Sequence, residues 1–185
     1  MSYLFVKNIL DTICSLCLSF IIAPILIVSI ILIKFETKGP VFFTQDRVGK
    51  DGIIFKIFKL RTMKHNNQQM KAQVFLNNSD VTSVGFYLRR FKIDELPQIF
   101  NVLLGQMSLI GPRPCLPSLL ETFDENAKFR LKLKPGLTGW AQVNGNIYNS
   151  WPKRWKLDKY YVQNVSLFLD LRIFVATLNV IIFGE

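Results

Sequence analysis

The sequence is poor in the residues that most often carry chemistry. It has one histidine, His65, and three cysteines in 185 residues. One histidine excludes a histidine-rich metal centre and any mechanism that needs a histidine pair. Three cysteines provide no disulfide framework, which points to a reducing compartment. Acids are scarce as well: 13 Asp and Glu face 23 Lys and Arg, for a formal charge of +10. Neither a G-x-G-x-x-G fingerprint nor a Walker pattern occurs, so neither a Rossmann nor a P-loop nucleotide site is indicated. No internal repeat is evident.

Apolar residues are abundant. Half of the chain is hydrophobic and 16 residues are phenylalanine. The cationic surplus calls for anionic partners: nucleic acid, phosphorylated substrates or a lipid surface. A basic and apolar chain fits the lipid surface best, and no nucleic-acid motif is present.

Residues 1–36 read as a membrane segment and residues 37–185 as one folded domain. From Thr12 to Ile33, "TICSLCLSFIIAPILIVSIILI", no residue is charged. These 22 residues make about 33 Å of straight helix, enough to cross a bilayer. The run is too long for a signal peptide and no small-x-small cleavage site follows it. Cys14 and Cys17 form a C-x-x-C inside this run, where they read as small apolar residues rather than a redox or zinc pair. Pro24 removes one backbone donor, frees the carbonyl of Phe20 and predicts a kink. Lys7 lies before the segment, and Lys34 and Lys38 lie after it, so the positive-inside rule assigns no orientation to a straight span. A kinked span and a helix that re-enters from one face both remain open. Asp11 is placed at the interface.

Beyond Glu36 the pattern changes. Gly39-Pro40 marks a turn, Val41 to Thr44 a strand, and Gly49 to Gly52 a loop. A second strand is predicted over 53–61, with Lys59 and Arg61 on one face and Lys56 on the other. The stretch "MKHNNQQMKAQVFLNNSD" reads as a polar surface excursion. In "FKIDELPQIFNVLLGQMSLIGPRP", the spacing of Leu96, Ile99, Phe100, Leu103 and Leu104 predicts a helix of about ten residues that ends at Gly105. Asp94 is expected as its N-cap, with Pro97 in the first turn.

Asp94 and Glu95 therefore have two readings. They can cap a helix and complement its dipole. Together with Arg89, Arg90 and Arg113 at a helix start, they are also compatible with phosphoryl chemistry and a divalent cation, Mg²⁺. Downstream, "KPGLTGWAQVNGN" is loop-rich and able to approach a polar ligand closely. In "SWPKRWKLDKYYV", Trp151, Trp155, Tyr160 and Tyr161 alternate with cations, as at a membrane interface, in nucleic-acid stacking or in an ordinary amphipathic helix. The apolar stretch Ser166 to Phe183 is expected on the core or in the membrane interface.

Four motifs, "GPVFFTQDRVG", "FKIFKLRTM", "IDELPQIFNVLLGQMSLIGPRP" and "LKPGLTGWAQVNG", occur in the order seen in bacterial sugar transferases. The chain thus resembles the small monotopic phosphoglycosyl transferases, with one membrane segment and a catalytic domain. That resemblance implies transfer of a sugar 1-phosphate from a UDP-sugar to undecaprenyl phosphate, with release of UMP. It implies Asp94 as nucleophile and Mg²⁺ ligand, Glu95 as the second member of the dyad, and Arg113 as a bidentate phosphate grip. Lys59, Arg61 and Arg89 are further candidates for phosphate binding. The implied fold is α+β: a kinked, re-entrant N-terminal membrane helix broken at Pro24, joined to a mostly helical domain with a small sheet. The implied location is the inner (cytoplasmic) membrane, with the active site on the cytoplasmic face and membrane lipid as a partner.

One departure stands out. Ala23 precedes the proline where described members of the family have serine, and Ser19 is the neighbouring hydroxyl able to support the kink. A homodimer is compatible with the sequence, and nothing in it reports the sugar. The rival from another class is a non-catalytic membrane-surface scaffold, which needs the charges but not the dyad.

Overall fold

The computed structural model describes residues 3–64 and 79–183. Nearly all of the polar excursion expected after Met63, His65 included, lies outside the described residues. The chain begins with one long helix, α1 (Tyr3–Glu36). It continues into a hairpin of β1 (Phe42–Val48) and β2 (Ile54–Leu60), antiparallel with Phe42 opposite Leu60 and Val48 opposite Ile54. The hairpin loop is a tight 3₁₀ turn in which Asp51 and Gly52 take positive φ. Then come α2 (Ser83–Arg90), a 3₁₀ turn over Ile93–Gln98, α3 (Ile99–Leu103) and β3 (Ser108–Ile110). α4 (Glu125–Lys128), β4 (Gly136–Thr138), α5 (Trp140–Val143), α6 (Trp151–Gln163) and α7 (Leu167–Phe183) complete the chain. β4 pairs parallel with β3. The architecture is α+β, mostly helical with small sheets.

α1 shows why its sequence is so apolar. Its buried residues are Lys7, Asp11, Ser15, Ile22, Leu26, Ser29 and Ile33. Steps of three, four or seven residues place them on one stripe. The remaining surface is apolar and uncovered, with Phe20 at 74 %, Ile21 at 66 % and Phe35 at 87 % exposure. A core helix of a soluble domain buries such residues, so α1 is a membrane helix. Hydrogen bonding classifies it as one helix through Pro24. The Ser19 hydroxyl donates to the carbonyl of Leu16 at 2.6 Å and does not reach that of Phe20, so it is not the substitute that the sequence pointed to.

Both ends of α1 are tied to the same domain. At its start, Lys7 Nζ lies 2.7 Å from Asp170 Oδ2 of α7, and Tyr3 donates to the same oxygen at 2.6 Å. Asp11 accepts from Ser108 Oγ at 2.6 Å and from the Leu109 amide. This carboxylate is therefore satisfied within the protein. At the other end, Glu36 accepts from the amides of Ser83 and Val84, and so holds the start of α2.

Three apolar clusters hold the layers together. Ile22, Leu26 and Ile33 of α1 pack with Leu60, Leu88 and Ile99. Phe55 and Ile57 of β2 pack with Val102 and Met107. Ile110, Tyr161, Leu169 and Ile173 join β3 to α6 and α7. Trp155 and Tyr161 are thus core residues, and only Trp151 and Tyr160 of the four aromatics remain open at the surface. α7 buries Leu169 and Ile173 and leaves Phe168, Leu171, Phe174 and Val175 exposed. It lies on the core with an apolar outer face.

Asn101 fixes the hairpin to α3. Fully buried, it accepts from the Phe58 amide at 3.0 Å and donates to the Lys56 carbonyl at 2.8 Å. Asn101→Ala strands both backbone groups and is expected to lower stability by about 2–3 kcal/mol. Chemical denaturation in detergent measures this, and an unchanged midpoint would contradict it.

Candidate active site

Lys92, in the left-handed conformation at φ 57°, breaks the chain direction after α2 and starts the 3₁₀ turn Ile93–Gln98. Asp94 and Glu95 lie in the first turn of this segment. The expected N-cap role of Asp94 is therefore corrected. The capping position belongs to Lys92, which makes no side-chain cap bond, and Asp94 lies one step inside. The helix is also shorter than its apolar spacing indicated. Pro97 lies inside the 3₁₀ turn and cannot donate, which weakens a regular α pattern there, and only Ile99–Leu103 is α-helical. Gly105, at φ 74°, terminates it as anticipated.

Packing holds the turn rigidly. Ile93 and Leu96 lie against the cluster that contains Leu26, Leu60 and Ile99, while Pro97 and Gln98 are buried. The neighbouring carboxylates are thereby fixed against β2. Lys59 of β2 donates to Glu95 Oε1 at 2.6 Å. Arg113 grips the same carboxylate with two nitrogens, at 2.7 Å to Oε1 and 3.3 Å to Oε2. Glu95 and Lys59 are 17 % and 18 % exposed, so their contact is little screened, whereas Arg113, at 42 %, is screened more.

Arg113 reaches this point because its loop is pressed onto the segment before β4. A Cβ on Gly111 would lie 2.5 Å from the Lys134 carbonyl oxygen, and one on Gly139 would lie 2.0 Å from that of Gly111. Only glycine permits such backbone contact. The "GPRP" and "KPGLTG" motifs are therefore two halves of one packed unit.

The two acids differ sharply in electrostatics. Burial pushes the Asp94 carboxyl up to about 6, and the charge of Glu95 adds to this, while Lys59, Arg89 and Arg113 restrain it. Burial also opposes ionisation of Glu95, but Arg113 and Lys59 outweigh it and hold that carboxyl well below the usual range. The site thus holds one permanent anion beside one carboxylate that is poised near neutrality.

Arg89 stands in the last turn of α2, where its Nε donates to Thr62 Oγ1 at 2.7 Å. Its charge acts on both carboxylates. Arg61 does not join them. β2 ends at Leu60, so the strand alternation that paired Arg61 with Lys59 stops one residue short. Its guanidinium is 1 % exposed and donates to the carbonyls of Lys38 and Thr37 and to the Thr37 hydroxyl. Those bonds fasten the end of α1, and burial leaves no path to a phosphate. Lys56 points the other way and pairs with Asp46 at the surface, as the alternation predicts.

Among the described residues, no group of three or more His, Cys, Asp or Glu is arranged to hold a metal. Two carboxylates, one of them engaged by cations, suit Mg²⁺, which commonly takes one or two protein carboxylates together with substrate phosphates and water. Asp94 is the carboxylate available for that duty. Cys14 and Cys17 are exposed on α1 and Cys115 is buried, all three as free thiols. Sequence reading passed over Arg130, which donates to the backbone carbonyl of Arg113. It lies in the basic stretch "KFRLKLKPG", which looks like a solvated face.

The chain is similar to known proteins along almost its whole length. Residues 2–184 match the family model described as bacterial sugar transferase. The chain is 42 % identical to a UDP-N-acetylgalactosamine-undecaprenyl-phosphate N-acetylgalactosaminephosphotransferase of Aeromonas hydrophila, over 98 % of this chain and 45 % of that protein. It is 38 % identical to the uncharacterized sugar transferase EpsL of Bacillus subtilis (strain 168), over 97 % of this chain and 88 % of that one. It is 41 % identical to a UDP-glucose:undecaprenyl-phosphate glucose-1-phosphate transferase of Klebsiella pneumoniae, over 92 % of this chain and 39 % of the relative. The chain thus spans less than half of the Aeromonas and Klebsiella proteins and most of the Bacillus one. With a family match along almost its whole length, the chain belongs to the bacterial sugar transferase family.

Proposed function

We propose that this protein transfers a sugar 1-phosphate from a UDP-sugar to undecaprenyl phosphate and releases UMP. The observation that carries the reading is the contrast within the dyad: Asp94 is poised near neutrality beside a Glu95 that Lys59 and Arg113 keep ionised. The Aeromonas and Klebsiella relatives are named for UDP-sugars and undecaprenyl phosphate, and those names supply the substrate class.

In the first step an Asp94 carboxylate oxygen attacks the phosphorus that bears the sugar. The bond from that phosphorus to the bridging oxygen breaks, and UMP leaves with the bond's electron pair. In the second step an oxygen of undecaprenyl phosphate attacks the aspartyl phosphosugar. Asp94 is restored and the polyprenyl diphosphate-linked sugar departs. Arg113, Lys59 and Arg89 hold phosphate oxygens and oppose the charge that builds up on them. Asp94, together with substrate phosphates, would hold Mg²⁺, which would supply further charge neutralisation.

On this reading α1 is re-entrant, and its attachments support that. Its first turns bond to α7 and β3, and its last turn bonds to α2. A straight span separates its ends by a hydrocarbon core of about 30 Å, which is hard to reconcile with one domain holding both. Re-entry from one face, with α1 bending at Pro24 while its helical hydrogen bonding continues, would satisfy both attachments. The site would then lie at the headgroup layer on the cytoplasmic side of the inner membrane, where UDP-sugars and the lipid phosphate could meet.

UMP release by the protein in detergent, with Mg²⁺, undecaprenyl phosphate and a panel of UDP-sugars, tests this reading. Asp94→Asn is expected to lower turnover by about a thousandfold or more. Equal turnover in the variant would remove Asp94 from the chemistry, and no release with any sugar would favour the scaffold.

The dependence on pH has a defined sign. The ionised form of Asp94 attacks, and its raised value near 6 means that protonation removes the nucleophile as pH falls. kcat/KM, which reports the free enzyme, is expected to be level above about pH 7 and to decline about tenfold per unit well below 6. A profile that stays flat down to pH 5 would contradict this.

A further inference from the structure

We propose that Arg130 and Asp158 form a positioning pair that sets Arg113 for its work on the substrate phosphate. This rests on the phosphate role given to Arg113 above.

The loop Gly111 to Cys115 carries prolines at 112 and 114, whose nitrogens cannot donate. Its conformation is therefore governed largely by what holds its carbonyls. Pro112 O accepts from the Gly136 amide at 3.0 Å, and Cys115 O from the Val48 amide at 2.9 Å. Both of those holds come from backbone. The carbonyl of Arg113 is held by a side chain, the Nη2 of Arg130. Arg113 is thus gripped at two points: Arg130 takes its carbonyl, while Glu95 takes its guanidinium at 2.7 Å.

Arg130 comes from the 3₁₀ turn Phe129–Lys132 and is 6 % exposed. A buried guanidinium demands a counter-charge. Asp158 of α6 provides it: the same Nη2 lies 3.5 Å from Asp158 Oδ2, and both side chains are no more than 5 % exposed. The Phe123 ring lies 5.7 Å from the guanidinium carbon and closes one side.

For stability alone the pair is a poor choice. A buried ion pair is often matched or bettered by apolar residues of similar volume, and Arg130 Nη1 is buried here without a protein partner. A leucine and a methionine could fill the space, but neither could donate to the Arg113 carbonyl. The use that accounts for a buried guanidinium at this point is orientation of the loop. Arg130 touches no reacting group and Asp158 acts only through it, so both are positioning residues.

A double-mutant cycle on UMP release tests this, with Asp158→Asn and Arg113→Gln made singly and together. Thermal midpoint and circular dichroism are recorded to confirm folding. Asp158→Asn is expected to reduce kcat/KM for the UDP-sugar by about ten- to a hundredfold. In the Arg113→Gln background the same substitution should change kcat/KM by less than about twofold, because the group it positions is already gone. A loss of equal size in both backgrounds overturns the proposal, as does an unimpaired Asp158→Asn enzyme. If Arg113→Gln alone leaves kcat/KM intact, the phosphate role of Arg113 fails first, an outcome distinct from the others. Should Asp158→Asn fail to fold, Arg130→Lys enters the same cycle. It keeps a cation near Asp158 but loses the reach to the carbonyl, and it should show the same dependence on Arg113.

Discussion

Glu95 accepts from Lys59 of β2 and from Arg113 of the loop after β3, so one carboxylate joins three separate parts of the chain. Without it, two cations would face each other in a partly buried site and repel. With it, they are held at fixed places beside Asp94. The same ion pairs account for the division of labour between the acids. The cations satisfy Glu95 first, and Asp94 keeps the burden of its burial. A carboxylate so poised retains basicity, and with it nucleophilicity, that a fully neutralised one would lose.

The attachment of α1 follows a related logic at larger scale. A membrane helix gains nothing from hydrophobic burial against a domain while lipid offers equal apolar cover. Polar contacts decide where it docks instead. Lys7, Asp11, Tyr3, Tyr161 and Asp170 share one buried network at the start of the helix, where Tyr161 donates to Asp170 Oδ1 at 2.7 Å. Charges that would be costly in lipid are stable only when paired. That requirement fixes the rotation of α1, and the apolar remainder of its surface and of α7 is left uncovered by the domain.

Much of the local structure was legible in the sequence. The hairpin shows in the alternation of "FFTQDRV" and "IFKIFKL" around a glycine-rich turn, and the helix stop shows in Gly105. The paired acids stood out because acids are rare in this chain. Less legible were features that depend on partners far along the chain. The apolar spacing after Asp94 looks like one helix, yet the left-handed Lys92 and the inserted Pro97 make the first half a 3₁₀ turn. Trp155 and Tyr161 look like interface aromatics in their basic helix, but α6 turns them toward the core.

The sequence by itself determined that an uncharged run must leave water for lipid, that alternating residues must pair as a hairpin, and that two acids must share one tight turn. Those outcomes depend on hydrophobicity and backbone geometry within a few residues. Only the tertiary structure decided which cations serve the acids. Lys59 and Arg61 are two positions apart and chemically alike, yet Lys59 meets Glu95 while Arg61 is spent on the carbonyls that end α1. Periodicity assigns a side chain to a face, but the strand ends at Leu60. Beyond that point the partner is chosen by whichever unpaired group the fold brings near, because a buried charge must be satisfied where it lies.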